Sequence, residues 1–549
     1  YVTDDNPRNE NRNIIRKNII KFIEKDKVKE IPDRKKAIIY ALKNSDPYEI
    51  ILVAGKGHET YQDLGKNKIF FSDKKIIKNF FSNKKDLKKN DLKFNSKIIQ
   101  KVTGNKQDNL FRGVSINSKN VKKENLFIAI KGKKNDGHNF LNEAILKKAS
   151  HCVVSKNVRI KYKPIRVKNT FEFLKKLSQN KREISSAKFI AVTGSTGKTT
   201  VKTMIGTLLK QYSKTYFSPH SYNNHYGVPL SLCNIEADHN FGVFEVGMNK
   251  SGEIFKLSSL VKPQIGIITN ITEAHLENFK SINDIAKAKS EIIYNIEKGG
   301  TIILNRDDKF FNFFKKIANK NNIKIKTFGY SNHADVKLIN LKRIKSNIFI
   351  KLFANDRKIE LLINNANKSY IMNILCCLAV LDELGLNLKK IKSFFKTFKP
   401  LKGRGIVQKV NRFGKRFYLI DESYNANPLS VKSALENFSK IPNNGKKKYF
   451  LFGDMMELGK KSHIYHKKVI KLINSTNINK TFVFGKRASE AYKFIKKHKK
   501  GEIITNIKKF DDKISKILKN GDFLMIKGSN ATNLHKVSEN FLRGSNNAL

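Results

Sequence analysis

The stretch FIAVTGSTGKTT, residues 189–200, constrains the fold of this chain more than any other. Residues 189–192 read as a short buried strand. Gly194 and Gly197 then punctuate a polar loop. Val201, Met204, Ile205, Leu208 and Leu209 follow at the spacing of one helix face. A strand, a glycine-rich turn and a helix N-terminus in that order aim backbone N–H groups and a helix dipole at one point, where an anion can sit. Gly194, Ser195, Thr196, Gly197, Lys198, Thr199 and Thr200 therefore read as a nucleotide site. Lys198 is expected to reach the β- and γ-phosphates and Thr199 to hold Mg2+. Position 192, where the longer phosphate loop has its first glycine, is Val, so this is the short form G-x-x-G-K-T.

The surrounding pattern predicts α/β architecture. GVFEVG, IGIITNI and TIILN read as further strands separated by helical stretches, which implies a mostly parallel sheet with helices on both faces. A helix-rich stretch, 371–398, closes this block. Beyond it FYLI, YFLF, TFVF and DFLMI read as strands, three of them running into Gly453, Gly485 and Gly528. The expected domains are 1–81, a partial Rossmann-like piece; 82–95, a charged linker without periodicity; 96–185, short strands and turns; 186–399, a central ATP-binding domain; and 400–549, a Rossmann-like domain. A length of 549 residues agrees with about three to four domains.

Net charge is +62, which first suggests nucleic acid. The lysines are not gathered on one arm: pairs recur from Lys35-Lys36 to Lys508-Lys509. Dispersed lysine reads as solvated surface that attracts anionic substrates, and no nucleic-acid partner is expected. Cys152, Cys233, Cys376 and Cys377 form no C-x-x-C pair and read as core residues of a reducing compartment. The longest apolar run, 374–381, is far short of the ~20 residues that span a bilayer. The expectation is a cytoplasmic, monomeric enzyme with no membrane insertion.

The short phosphate loop, HSYNNHYGVPLSL (220–232), FEVGMNKSGEI, TNITEAHLENFKSINDIAKAKSEI, LNRDD, LKGRG, DESYNANPLS and FGDMMELG together resemble the Mur ligases, over about 96–549. The resemblance implies a three-domain, ATP-dependent amide ligase. Its most characteristic stretches are those of the member that joins D-alanyl-D-alanine to UDP-N-acetylmuramoyl-tripeptide through an acyl phosphate. It further implies two Mg2+ ions held by Thr199, Glu245, His275 and a carbamylated Lys289. ATP contacts are implied for Asn305, Arg404 and Asp421, with Lys198, Lys289, His275 and Arg404 as the catalytic set. Substrate contacts are implied for Ser118, Lys119, Asn223, Asn224, Tyr424, Asn425 and Asn427. The chemistry agrees: two anions must meet, so cations must lie between them, and a carbamate turns a repelling lysine into a carboxylate. Glu422, Asn530 and Lys119 stand where the family pattern has Asp, Arg and Arg. The rivals are another ligase of the same fold, such as a folylpolyglutamate synthase, a basic nucleic-acid-binding P-loop ATPase, and an inactive scaffold.

The opening residues, YVTDDNPRNE, read as the end of a buried strand followed by a binding turn. DNPR, DRKKAI and AGKGHETYQ resemble the sister ligase that adds meso-diaminopimelate. There Arg8 of the motif Asp5, Asn6, Pro7 and Arg8 would grip the distal carboxylate, an arginine-fork task, and Gly55 and Glu59 would hold the distal amino and carboxylate end. The expectation is a C-terminal fragment of an upstream ligase in a longer fusion, or its remnant. It also suggests that the tripeptide carries meso-diaminopimelate.

Overall fold

The computed structural model describes residues 1–45, 50–57, 59–64, 68–82, 99–104, 111–274, 276–344, 347–354, 356–364, 366–399 and 401–543. The chain separates into two compact units, Tyr1–Leu177 and Ser178–Leu549. Most of the charged stretch expected as a linker, 83–95, lies outside the described residues.

In the first unit, the described residues of 1–82 include the helices Arg12–Ile20, Arg34–Asn44 and Asp73–Ser82, and the antiparallel strands β1 (Tyr61–Asp63) and β2 (Lys68–Phe70). Asp33 starts the second helix by accepting the Lys36 N–H, and Arg34 ties it to the third through a nearly buried ion pair with Asp73 at 2.6 Å. The apolar run 50–54 forms no strand, and Ile50 and Leu52 are 98% and 87% exposed. A strand exists by pairing, and the described residues place no strand beside this segment. The opening is likewise not a buried strand. Tyr1 is exposed, and Val2 makes one isolated bridge to Glu30. A Rossmann-like sheet is thus absent from the described part of 1–82.

Four short strands follow, β3 (Val114–Ser115), β4 (Leu126–Ile128), β5 (His151–Val154) and β6 (Ile165–Arg166), paired in that order and all parallel. Phe127, Ala129, Leu141, Ala144, Cys152 and Val154 fill their core.

The second unit carries two sheets. The larger contains β7 (Lys188–Thr193), β8 (Thr215–Phe217), β9 (Phe241–Glu245), β10 (Ile265–Ile268), β11 (Thr301–Asn305), β12 (Lys324–Gly329), β13 (Val336–Ile344), β14 (Asn347–Ala354) and β15 (Arg357–Ile363). Their order is β15-β14-β13-β12-β11-β10-β7-β9-β8. Strand alternation sends Ile190 and Val192 to one face, under the helices Lys198–Leu209 and Lys368–Glu383. Phe189 and Ala191 go to the other, under Glu253–Val261 and Ile282–Ser290. Both faces are covered, so the central strands read as continuous apolar runs. The antiparallel β13–β15 meander was not anticipated; the alternation in NIFIKLFA and KIELLI was its signal.

The smaller sheet contains β16 (Ile406–Arg412), β17 (Lys415–Glu422), β18 (Lys448–Gly453), β19 (Lys480–Phe484), β20 (Lys500–Ile504) and β21 (Phe523–Lys527), ordered β16-β17-β21-β18-β19-β20. Only the edge strand β16 is antiparallel to its neighbour. All four cysteines are buried and none is in a disulfide. Among the described residues no helix is long and apolar enough to cross a membrane.

Candidate active site

The connection after β7 leaves toward β8 and the connection after β10 leaves toward β11, so the chain diverges between these two neighbours. Ligands of open α/β sheets bind at such a point, beyond the strand carboxyl ends. The phosphate loop lies there. Gly194 has φ 143° and Gly197 φ 82°, conformations that glycine alone adopts cheaply. A Cβ on Gly194 would lie 1.9 Å from Thr269 Oγ1. The loop is pinned to the end of β10: Ser195 N–H donates to Asn270 O, Thr196 N–H to Asn270 Oδ1, and Thr269 Oγ1 to Thr196 O.

Two lysines converge on one carbonyl. Lys198 Nζ donates to Gly194 O at 2.7 Å, and Lys289 Nζ donates to the same oxygen at 3.0 Å. Burial pulls the Lys198 amine below the usual lysine range, with the field of Glu245 opposing it. Lys289, 1% exposed, is pushed well below that range by burial and by Lys198. At the end of β9, Glu245 is 1% exposed; its Oε1 accepts from Asn223 Nδ2 at 2.8 Å, while the buried Oε2 has no hydrogen-bond partner among the described residues. A bare, buried carboxylate oxygen in the same site as the Thr199 hydroxyl fits Mg2+, which selects oxygen donors.

The C-terminal half of the unit reaches this loop directly. Arg404 Nη2 donates to Thr199 Oγ1 at 3.0 Å and its guanidinium stacks 4.1 Å from the Tyr424 ring centre. Tyr424 Oη bonds Ser221 Oγ, which in turn lies 3.1 Å from Thr199 Oγ1. Lys198, Thr199, Glu245, Lys289, Arg404, Asn223 and Tyr424 are therefore assembled around one loop. His275 lies outside the described residues.

Other expected site residues are committed to local structure. Asn224 Oδ1 accepts Tyr226 and Gly227 N–H. Asn427 caps the helix Pro428–Lys440 in a reciprocal box with Ser430. Asp421 accepts Gly403 N–H with one oxygen and Ser423 with the other. Asn425 Oδ1 accepts Ala426 N–H, and Asn305 Oδ1, at the end of β11, accepts Asp307 N–H. In the first unit, Ser118 Oγ donates to Glu143 at 2.7 Å and Lys119 is exposed. The diaminopimelate-type segments do meet one another: Asn6 Nδ2 donates to Glu59 at 2.9 Å, and Asp5 fills the space a Cβ on Gly55 would need. Pro7 is buried, whereas Arg8 is exposed with φ 50°.

Four residues went unassigned in the sequence: Thr269, Asn270, Ser221 and Lys202. Lys202, one helical turn after Lys198, is 1% exposed and donates to Ser218 O and His220 O, holding the segment that carries Ser221. Burial lowers it to about 8. Its i,i+4 spacing from Lys198 on an otherwise apolar face was the available signal.

The family model of the Mur ligase middle domain matches residues 192–381, and that of the Mur ligase glutamate ligase domain matches 407–530. A UDP-N-acetylmuramoyl-tripeptide–D-alanyl-D-alanine ligase of Rickettsia prowazekii is 34% identical over 427 residues, 77% of this chain and 94% of that protein. The chain belongs to the Mur ligase family. The ligase of the same description from Buchnera aphidicola subsp. Acyrthosiphon pisum is 32% identical over 80% of this chain and 95% of its own length. Among solved structures, MurF from Acinetobacter baumannii aligns with TM-score 0.70 and 25% identity, covering 82% of this chain and 98% of that one. A MurF ligase from Thermotoga maritima in complex with ADP aligns with TM-score 0.67 and 26% identity, covering 80% and 99%. The mixed α/β fold with parallel sheets is that of these Mur ligases, and the chain is an ATP-dependent ligase that forms amide bonds.

Proposed function

We propose that this chain joins D-alanyl-D-alanine to UDP-N-acetylmuramoyl-tripeptide in peptidoglycan synthesis. The supporting observation is the gathering of Lys198, Thr199, Glu245, Lys289 and Arg404 around one phosphate loop in a chain that spans 94% of such a ligase. The tripeptide carboxylate attacks the γ-phosphorus of ATP, and ADP leaves. The dipeptide amine then attacks the acyl carbon, phosphate leaves, and the amine's surplus proton passes to solvent. Lys198 and Arg404 neutralise the transferring phosphoryl oxygens. Thr199, Glu245, His275 and a carbamylated Lys289 would hold two Mg2+ ions, which supply further positive charge between the anions.

An amine held toward its neutral form is the nucleophile that CO2 requires, so burial of Lys289 favours the carbamate. A carbamate 13C resonance after labelling with 13C-bicarbonate, missing in Lys289→Ala, checks this. Asn305 and Asp421 belong to the ATP side. Asn223 and Asn224 belong to the substrate loop, Tyr424, Asn425 and Asn427 to the ATP or dipeptide site, and Ser118 and Lys119 to the UDP side. The domain reading is 96–185 for binding the UDP substrate, 186–399 for binding ATP and 400–549 as the C-terminal Rossmann-like ligase domain. Residues 1–81 are read as a fragment of a diaminopimelate-adding ligase, and the tripeptide as carrying meso-diaminopimelate. The enzyme is read as a cytoplasmic monomer.

The test is phosphate release from ATP with the UDP-tripeptide, with and without D-alanyl-D-alanine, beside a nucleic-acid control. Release that needs both substrates supports the reading. Stimulation by nucleic acid alone overturns it.

A further inference from the structure

The turn after β18 is anchored at every backbone N–H along its first half. Asp454 N–H donates to Phe484 O at 3.1 Å, Met455 N–H to His466 Nε2 at 3.0 Å, and Met456 N–H to Ser529 Oγ at 2.8 Å. The Asp454 carboxylate accepts Ala488 N–H at 2.8 Å, which fixes the turn's root. Its far half bends back in the left-handed region, with φ 64° at Glu457 and 59° at Gly459. There it meets the segment after β10, whose Glu277 N–H donates to Glu457 O at 3.0 Å. A Cβ on Gly459 would lie 3.2 Å from Leu276 O and 3.3 Å from Glu277 Cα. Leu276 and Glu277 directly follow His275 in the chain, and the Glu457 charge is felt at Lys198.

We propose that the turn 454–459 is a clasp holding the C-terminal half of the second unit over the phosphate loop, and that His466 is the positioning residue that sets its shape. His466 is fully buried, and its two nitrogens do different work. Nδ1–H donates to Ser462 O at 2.8 Å, which leaves Nε2 as the acceptor for Met455 N–H. Only the neutral ring can do both; an imidazolium would turn an N–H against an N–H. Burial favours that neutral form. The sequence gives no sign of this role, because His466 stands on the helix Ser462–Asn474, well downstream of the turn it holds.

The kinetic arm of the test rests on the ligase reading; the exchange arm does not. Wild type, His466→Gln, His466→Phe and Gly459→Ala are compared by hydrogen exchange of the peptide covering 276–279 and by kcat. Glutamine can accept from Met455 and donate to Ser462, so H466Q is expected to keep wild-type exchange and kcat. H466F and G459A are expected to speed exchange at 276–279 and to lower kcat about tenfold or more, with KM for the UDP-tripeptide unchanged. A folded H466F with wild-type exchange at 276–279 overturns the proposal, as does H466Q losing as much as H466F. If H466F does not fold, G459A decides: unchanged exchange and kcat overturn the clasp. A wild type inactive on both substrates, with exchange shifts as expected, would sink the ligase reading and leave the clasp standing.

Discussion

Two lysines hold two polar turns in this chain, and only one of the turns follows a strand of a large parallel sheet. Lys198 closes the loop that follows β7, whose strand is paired on both sides, and Asn223, Glu245, Lys289, Arg404 and Tyr424 are gathered around that loop from separate segments. Lys56, 2% exposed, sits in residues 1–82 among Asn6 Oδ1 at 2.7 Å, Tyr61 O at 2.6 Å, Asp5 at 3.3 Å and Glu59 at 3.7 Å. Its turn closes just as tightly, yet the preceding segment joins no strand among the described residues and exposes Ile50 and Leu52. A motif's local hydrogen bonds can therefore form without the sheet that makes the motif a catalytic site. What the sheet adds is a fixed meeting point for distant segments.

That contrast can be broken by substitution. Lys198→Ala is expected to lower turnover by at least about 100-fold, while Lys56→Ala leaves turnover unchanged and loosens only residues 1–82. Steady-state phosphate release and limited proteolysis read the two effects. Equal losses in both variants would erase the distinction. Glu245→Gln removes the charge behind the unpartnered Oε2 and is expected to lower turnover by about 10- to 100-fold. A rightward shift of the Mg2+ titration would accompany it.

A smaller effect sharpens the comparison through pH. Lys202 is lowered from its ordinary 10.5 to about 8, so between pH 8 and 10.5 the unfolded chain binds the proton that the folded chain has lost. Stability relative to Lys202→Met is then expected to rise with pH across that window and to be flat below it. Urea melts of both proteins at pH 7, 8, 9 and 10 measure it; a falling difference would contradict the assignment. The smallest effect is expected from deleting residues 1–81, with kcat and both KM values unchanged.

Much of the second unit was legible because its strands are short apolar runs ending in glycine or polar turns, and its helices carry a clear apolar face. The phosphate loop, β9, β10, β11, β17, β18, β19 and β21 stand where those patterns put them. Residues 50–54 have the same local pattern and form no strand, since pairing partners are a property of the whole chain and not of the segment. The capping roles of Asn224 and Asn427 show the opposite limit. An asparagine before a helix has the composition of a ligand contact and of a cap alike, so nothing in the sequence signals the capping bonds, which geometry supplies. Asn270 escaped notice because its work, accepting the Thr196 N–H, is done across 74 residues of sequence.

The exposed run at 50–54 also has a colloidal side. An apolar segment that joins no sheet among the described residues is a template for pairing between molecules. The surplus of cations, +62 on 549 residues, works against that encounter by mutual repulsion. Repulsion of this kind weakens as salt shortens the Debye length. The dispersed lysines, which build little of the catalytic centre, thus make ionic strength the variable that governs how concentrated this protein can be kept.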